Sequence, residues 1–496
     1  MSTRCTEPVR LNLTVRFNLD RLTALFNEPF FCYAFSMSVC TPFKDKRIIV
    51  MGLGLLGRGV GVTKFLAECG AKLLVTDLKS AEQLAESLEK LKEFKDIEYH
   101  LGGHRLEDFG KHGFGDRPAD MVIKAAGVPL DSPFIEEARK NGIPVKMDAS
   151  LFVELMPRDV TTIGVTGTRG KTTTTQIIYE ILKTWLGTEN KERTRKVFLG
   201  GNIRNLATLP LLHEVHSGDI VVLELDSWQL QGFDESKISP DIAVFTTFFP
   251  DHLNYYRNEI DKYWKDKATI FRHQTKDQFF VVTTQVANEM IERGDSAHAK
   301  TEIVNAETLP KDWNLLVLGV HNRENAAVAL TVVRNLGVPD EISKKMLENF
   351  KGVEGRLQFV RDHKGIKYYN DTTATSPEGA MAALRSLDDR KGRIVHLAGG
   401  ADKGLHYEEL GAIIPEYDKA LILFKGEATE KIKSVLFGHV NKVIEVGSMQ
   451  EAFLHVDEIA REGDVVLLSP GAASFGIFKN EYDRGDQFVT RVNALI

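Results

Sequence analysis

The chain has 496 residues, too many for a single hydrophobic core and enough for about three domains. Its 63 Lys and Arg against 69 Asp and Glu give a net charge of −6, without the basic excess that a nucleic-acid partner would select. Four cysteines, Cys5, Cys32, Cys40 and Cys69, show no paired metal spacing and are too sparse for a disulfide scaffold, which fits a reducing cytoplasm; the most apolar N-terminal stretch, "PFFCYAFSMSVCTPF", is too short to span a bilayer.

Residues 1–42 do not join the pattern that follows and read as an extension, or as sequence upstream of a start at Met37. Order begins at "KRIIVMGLGLLGRG". A strand leads into Gly52, Gly54 and Gly57 in G-x-G-x-x-G spacing, then a helix, then the strand "KLLVTD" ending in Asp77. Such a turn brings backbone N–H groups close to a diphosphate. Alone it suggests an NAD-dependent dehydrogenase, but the same turn suits any nucleotide diphosphate, a UDP-sugar included. The strand "DMVIKAAG" and the helix "PFIEEARKNG" continue the alternation, so residues 43–149 are expected to form a Rossmann-like domain with a parallel sheet.

The second domain, expected over 150–352, opens with "GVTGTRGKTTTT" after an apolar strand. A generic phosphate loop has a glycine where Val165 stands, yet Gly167, Gly170, Lys171 and Thr172 supply a tight turn, a cation for terminal phosphates and a hydroxyl for Mg²⁺. The apolar spacing of "TTTQIIYEILKTWL" predicts a helix whose N-terminus also favours an anion. Further on, Glu224 at a strand end, His252 past the next strand and Lys267 on a helix could converge where α/β sheets place ligands. From 353 to 496 a third α/β unit is expected, with strands "GRIVHLAGG", "ALILFKG", "KVIEVG" and "DVVLLSPG".

Taken in order, "TGTRGKTT", "GGNIRN", "DHL", "HNRENAAVAL", "EGR", "NDTTATSP", "AGGADKG" and "LSPGAASFGIFKNEYDRGDQF" resemble the Mur ligases of bacterial cell-wall synthesis over about residues 46–496. The phosphate loop and "HNRENAAVAL" are also similar to folylpolyglutamate synthases; the terminal motif and "GLGLLGRG" resemble the branch that adds D-glutamate. The resemblance implies an ATP-dependent amide ligase of peptidoglycan precursor synthesis, working through an acyl phosphate on UDP-N-acetylmuramoyl-L-alanine, with two Mg²⁺ ions. A monomer without membrane insertion or nucleic acid is expected.

Residue by residue, the resemblance implies that Gly167, Thr168, Arg169, Gly170, Lys171, Thr172, Thr173, Asn325, Arg356 and Asp371 bind ATP. Lys171, Glu224, His252 and Lys267 would be catalytic. Thr172, Glu224, His252 and Lys267, the last as a carbamate, would hold metal. Leu55, Leu56, Asp77, Gly127 and Asn202 would take the UDP substrate, reassigning the glycine turn from NAD to UDP, and Thr375, Lys403, Ser474 and Phe478 would take D-glutamate. Three positions depart from the family pattern: Thr373 replaces a lysine, Arg169 an asparagine and Glu481 an aromatic, with Tyr482 one place on. The alternatives are another Mur-type ligase, a folylpolyglutamate-synthase-like enzyme, a dehydrogenase, or a binding protein without turnover. The UDP-like turn argues against the folate enzyme, and the joint presence of Lys171, Glu224, His252 and Lys267 against a non-catalytic protein.

Overall fold

The computed structural model describes residues 39–55, 57–188, 195–204, 206–253, 255–317, 319–436 and 440–495, so Leu56 and most of the N-terminal extension lie outside the described residues. The chain forms three consecutive α/β units, each around its own sheet. In the first, β1 (Arg47–Met51), β2 (Lys72–Asp77), β3 (Ile97–Leu101), β4 (Met121–Lys124) and β5 (Val145–Lys146) pair in the order β3-β2-β1-β4-β5, all parallel. Runs such as "IIVM" and "LLVT" are buried on both faces, as strands covered by helices on each side must be. The order reverses at β1, which opens a crevice beyond its carboxyl end. There Gly52 has φ +98° and a Cβ on it would come within 2.7 Å of Ala125 Cβ, so only glycine lets the turns after β1 and β4 touch.

The central unit has six parallel strands: β6 (Thr161–Thr166), β7 (Val197–Gly201), β8 (Ile220–Glu224), β9 (Ile242–Phe245), β10 (Phe279–Thr283) and β11 (Lys300–Val304), in the order β11-β10-β9-β6-β8-β7. Its reversal falls at β6. The helix Lys171–Thr188 follows at once, burying Ile177, Ile178, Ile181 and Leu182 in a core shared with the helix Val320–Asn335.

The third sheet comprises β12 (Gln358–His363), β13 (Ile366–Asn370), β14 (Ile394–Gly399), β15 (Asp418–Phe424), β16 (Val443–Val446) and β17 (Val465–Leu468), in the order β12-β13-β17-β14-β15-β16. Only β12 runs antiparallel to its neighbour.

The reading of the cysteines needs correction. Cys40 and Cys69, 29 positions apart, form a disulfide, with His213 of the central unit beside it. Phe43 packs edge-on against Phe65 at 5.5 Å, and Val39 and Cys40 pack on the same core, so residues 39–42 join the first unit instead of standing apart. Among the described residues, no helix is long and apolar enough to cross a membrane.

Candidate active site

A cleft of about 780 Å³ opens where the three units meet, with Arg58 from the first, Thr172, Asn202 and Glu224 from the second, and Arg356 and Tyr482 from the third on its walls. Thr172 follows directly on the loop after β6. Gly167 has φ +150° and Gly170 φ +83°; a Cβ on Gly167 would meet Thr246 Oγ1 at 2.1 Å, and one on Gly170 would meet Asn325 Oδ1 at 2.5 Å. The loop is therefore glycine by steric necessity. Thr168 donates its N–H to the Thr247 carbonyl at 2.7 Å, and Arg169 donates its own to Thr247 Oγ1 at 2.8 Å. Thr246 Oγ1 donates to the Arg169 carbonyl at 2.6 Å. These bonds hold the loop against the segment after β9. Arg169, where the family has asparagine, contributes backbone here. Thr173 is buried in the first helical turn, and Thr174 Oγ1 donates to Asn325 Oδ1 at 3.3 Å, anchoring the helix that carries Asn325.

Charge is concentrated above this loop. Lys171 donates to the carbonyls of Gly167 at 2.9 Å and Thr168 at 3.2 Å, and its pKa is depressed by burial, partly offset by Glu224. Glu224, 3 % exposed at the end of β8, is pushed above the usual carboxylate range by burial, against the pull of Lys171, Arg356 and the Thr172 hydroxyl. Its Oε2 has no hydrogen-bond partner. An orphan carboxylate oxygen beside a hydroxyl is a donor set suited to a hard divalent cation.

Lys267, 1 % exposed, donates to the Gly167 carbonyl at 2.8 Å and lies 5.0 Å from the Tyr263 ring centroid. Burial and the nearby Lys171 hold its pKa well below the ordinary lysine value. His252 sits at φ +52°, its ring 4.9 Å from that of Trp228 and 6.1 Å from that of Tyr263. Burial lowers its pKa, against the pull of Asp251 and with Lys171 and Lys267 adding to the effect. Sequence reasoning missed Tyr263, whose hydroxyl meets Thr168 Oγ1 at 3.2 Å; its position four residues before Lys267 on one helical face was the available signal.

The residues assigned to the UDP substrate divide into two places. Asp77 accepts from Gly54 N–H and Lys79 N–H, both at 2.9 Å, beside the exposed Leu55, and the Gly127 turn adjoins them through the Gly52–Ala125 contact. Asn202 lies instead by the phosphate loop, its N–H on the Glu224 carbonyl at 2.7 Å.

In the third unit, Asp371 Oδ1 accepts from Leu357 N–H at 2.9 Å and Oδ2 from the Ser469 hydroxyl at 2.7 Å. Burial nonetheless raises its pKa to about 7. Lys403 donates to Thr375 Oγ1 at 3.4 Å, while the paired backbones of Ala401 and Ala473 bring the buried Ser474 and Phe478 alongside. Ser474 Oγ has no partner. Thr373 spends its hydroxyl on the Gly355 carbonyl at 2.8 Å, anchoring the segment that carries Arg356. Two further residues escaped the sequence reading. Arg484, fully buried, donates to the carbonyls of Thr372 at 2.9 Å and Ala472 at 3.3 Å, tying "NDTT" to "SPGAAS". Arg204 stacks 4.1 Å from the Tyr482 ring centroid and pairs with Glu354 and Asp486, joining the second unit to the third.

Fold and site together define a three-domain α/β nucleotide-binding protein whose phosphate loop faces residues from its neighbours. Family signatures match in the same order: Mur ligase MurD-like, N-terminal domain, over residues 46–147; Mur ligase middle domain over 165–333; and Mur ligase, glutamate ligase domain, over 355–471. The UDP-N-acetylmuramoylalanine–D-glutamate ligase of Roseiflexus sp. is 36 % identical over 477 residues, covering 89 % of this chain and 97 % of its own. That of Borreliella burgdorferi is 33 % identical over 470 residues, covering 91 % and 98 %. Among solved structures, the UDP-N-acetylmuramate–alanine ligase MurC of Thermotoga maritima shares the fold with a TM-score of 0.56 at 20 % identity, over 90 % of this chain and 99 % of that one. MurF of Thermotoga maritima in complex with ADP does so with a TM-score of 0.52 at 21 % identity, over 75 % and 88 %. The chain belongs to the Mur ligase family.

Proposed function

We infer that this chain joins D-glutamate to UDP-N-acetylmuramoyl-L-alanine at the expense of ATP, in peptidoglycan precursor synthesis. Near-full-length similarity to D-glutamate ligases carries the reading. The substrate carboxylate attacks the γ-phosphorus of ATP, breaking its bond to ADP and giving an acyl phosphate; the D-glutamate amine then attacks the acyl carbon, and phosphate leaves from the tetrahedral intermediate. Both steps gather negative charge, so catalysis rests on placement and on cationic donors.

Lys171 and the N–H groups of the loop would hold the β- and γ-phosphates, Asn325, Arg356 and Asp371 the rest of ATP. The glycine turn with Leu55, Leu56, Asp77 and Gly127 would hold UDP, leaving Asn202 to meet the acyl end, in keeping with its place beside Glu224. Thr172 and Glu224, with His252 nearby, would hold Mg²⁺, which supplies charge neutralisation at the transferred phosphoryl. The depressed pKa of Lys267 favours the neutral amine that carbamylation requires. Thr375, Lys403, Ser474 and Phe478 would bind D-glutamate, a lysine and a hydroxyl suiting a dicarboxylate.

Phosphate release from ATP, measured with UDP-N-acetylmuramoyl-L-alanine and a panel of amino acids, is expected to require D-glutamate. Equal turnover with L-lysine or meso-diaminopimelate and none with D-glutamate would overturn the assignment.

A further inference from the structure

A buried polar chain crosses the third sheet behind the nucleotide residues. His396 on β14 is fully buried. Its Nε2 lies 2.8 Å from the Ser469 carbonyl oxygen and its Nδ1 2.9 Å from Asp418 Oδ2 at the start of β15. A carbonyl only accepts, so Nε2 must carry hydrogen. One proton is then shared between Nδ1 and the carboxylate. Asp418 and Asp371 both raise the affinity of His396 for that proton, against burial, which lowers it. Burial also raises the Asp418 carboxyl, so the proton on the Nδ1–Oδ2 contact is held by both partners, sealed from water.

The chain continues to the site. Ser469, fixed at its carbonyl by His396 and at its N–H by the Leu397 carbonyl at 3.1 Å, donates its hydroxyl to Asp371 Oδ2 at 2.7 Å. Asp371 Oδ1 in turn receives the N–H of Leu357, the residue after Arg356. Four adjacent strands, β15, β14, β17 and β13, thus contribute to one line of hydrogen bonds that ends at the two residues assigned to ATP in the third unit. We propose that His396 is a positioning residue for the nucleotide: its Nε2–H on the Ser469 carbonyl fixes the serine that aims Asp371 and, through Leu357, the segment bearing Arg356. This rests on the reading that Asp371 and Arg356 take ATP.

Removing one partner of a buried ion pair leaves an uncompensated charge, whereas replacing both by apolar residues of similar volume is commonly tolerated. The double variant His396→Leu/Asp418→Leu is accordingly expected to fold, to bind ATP about tenfold more weakly by titration calorimetry, and to raise KM for ATP by the same factor, with kcat at saturating ATP and KM for D-glutamate altered less than twofold. A merely structural defect would move all of these together. Ser469→Ala, which leaves no buried charge, is expected to weaken ATP to the same extent and serves if the double variant does not fold. In Asp418→Asn, a neutral His396 accepts from the amide at Nδ1 and still donates at Nε2, so ATP affinity is expected within twofold of wild type. Nitrogen NMR of the histidine rings is expected to show hydrogen on Nε2 of His396 in both the wild type and Asp418→Asn. Wild-type ATP affinity in the double variant overturns the proposal, as does an Asp418→Asn loss as large as that of Ser469→Ala. Failure of the wild type to bind ATP would instead overturn the reading on which it rests.

Discussion

The two glycine turns of the molecule are built alike and equipped differently. Each follows the strand at which its sheet reverses order, β1 in the first unit and β6 in the second, and each opens a helix. In the first, the nearby carboxylate is already satisfied: Asp77 spends one oxygen on Gly54 N–H and the other on Lys79 N–H. In the second, Lys171 leans on its own loop's carbonyls and Glu224 holds an oxygen without a partner. The first turn is satisfied within itself. The second is not: desolvated charge, Lys171 and Glu224, stands beside it, so turns of like backbone differ in the side chains added to them.

The largest expected effect is at the second turn. Glu224→Gln should lower kcat by about a hundredfold to a thousandfold, the scale of a lost electrostatic stabiliser, while the KM for the UDP substrate stays near wild type in steady-state assays. Loss of UDP-substrate affinity instead would collapse the distinction between the turns. Next comes Lys267→Ala, expected to lose most activity with an unchanged circular dichroism spectrum and to regain part of it with short carboxylates in the buffer. An alanine variant as active as wild type in CO₂-depleted buffer would remove the carbamate from the account.

At the first turn, Asp77→Ala should raise KM for the UDP substrate about tenfold to a hundredfold, the worth of hydrogen bonds to a charged group, and leave KM for ATP unchanged. The smallest effect is on stability. Asp371, its pKa raised to about 7 by burial, takes up a proton more readily in the native than in the unfolded state. The native state is thus favoured at low pH, and that contribution is lost as pH rises from about 4 to about 7, by a few kcal/mol at most. Asp371→Asn should therefore raise the thermal midpoint at pH 8 and flatten its dependence on pH across this window, even as ATP binding weakens. A midpoint at pH 8 below that of wild type would show that the ionised carboxylate is held by more than Ser469 and Leu357.

Much of this organisation was legible because it is local. A turn of glycines between an apolar strand and an amphipathic helix needs only consecutive residues, so the sites after β1 and β6 could be read from spacing, and the buried runs of the parallel strands announced three α/β units. Lys267 could be read as a candidate from its place among the strand ends, but its role as a carbamate came only through resemblance, since the spacing of "KYWKDKATIF" equally suits a solvated lysine. The steric demand for Gly170 is not local at all: it comes from Asn325, 155 positions on.

What only the tertiary structure decided are the partners that come from distant strands. The Cys40–Cys69 pair is not legible in cysteine spacing and accompanies the packing of Phe43 on Phe65. Arg484 meets Thr372 across 112 positions, Tyr263 meets Thr168 across 95, and Ser469 meets Asp371 across 98. Composition and periodicity prescribe which residues face a core, but which strand lies beside which is settled by the packing of whole sheets, and the hydrogen bonds of buried polar groups can be assigned only after that order exists.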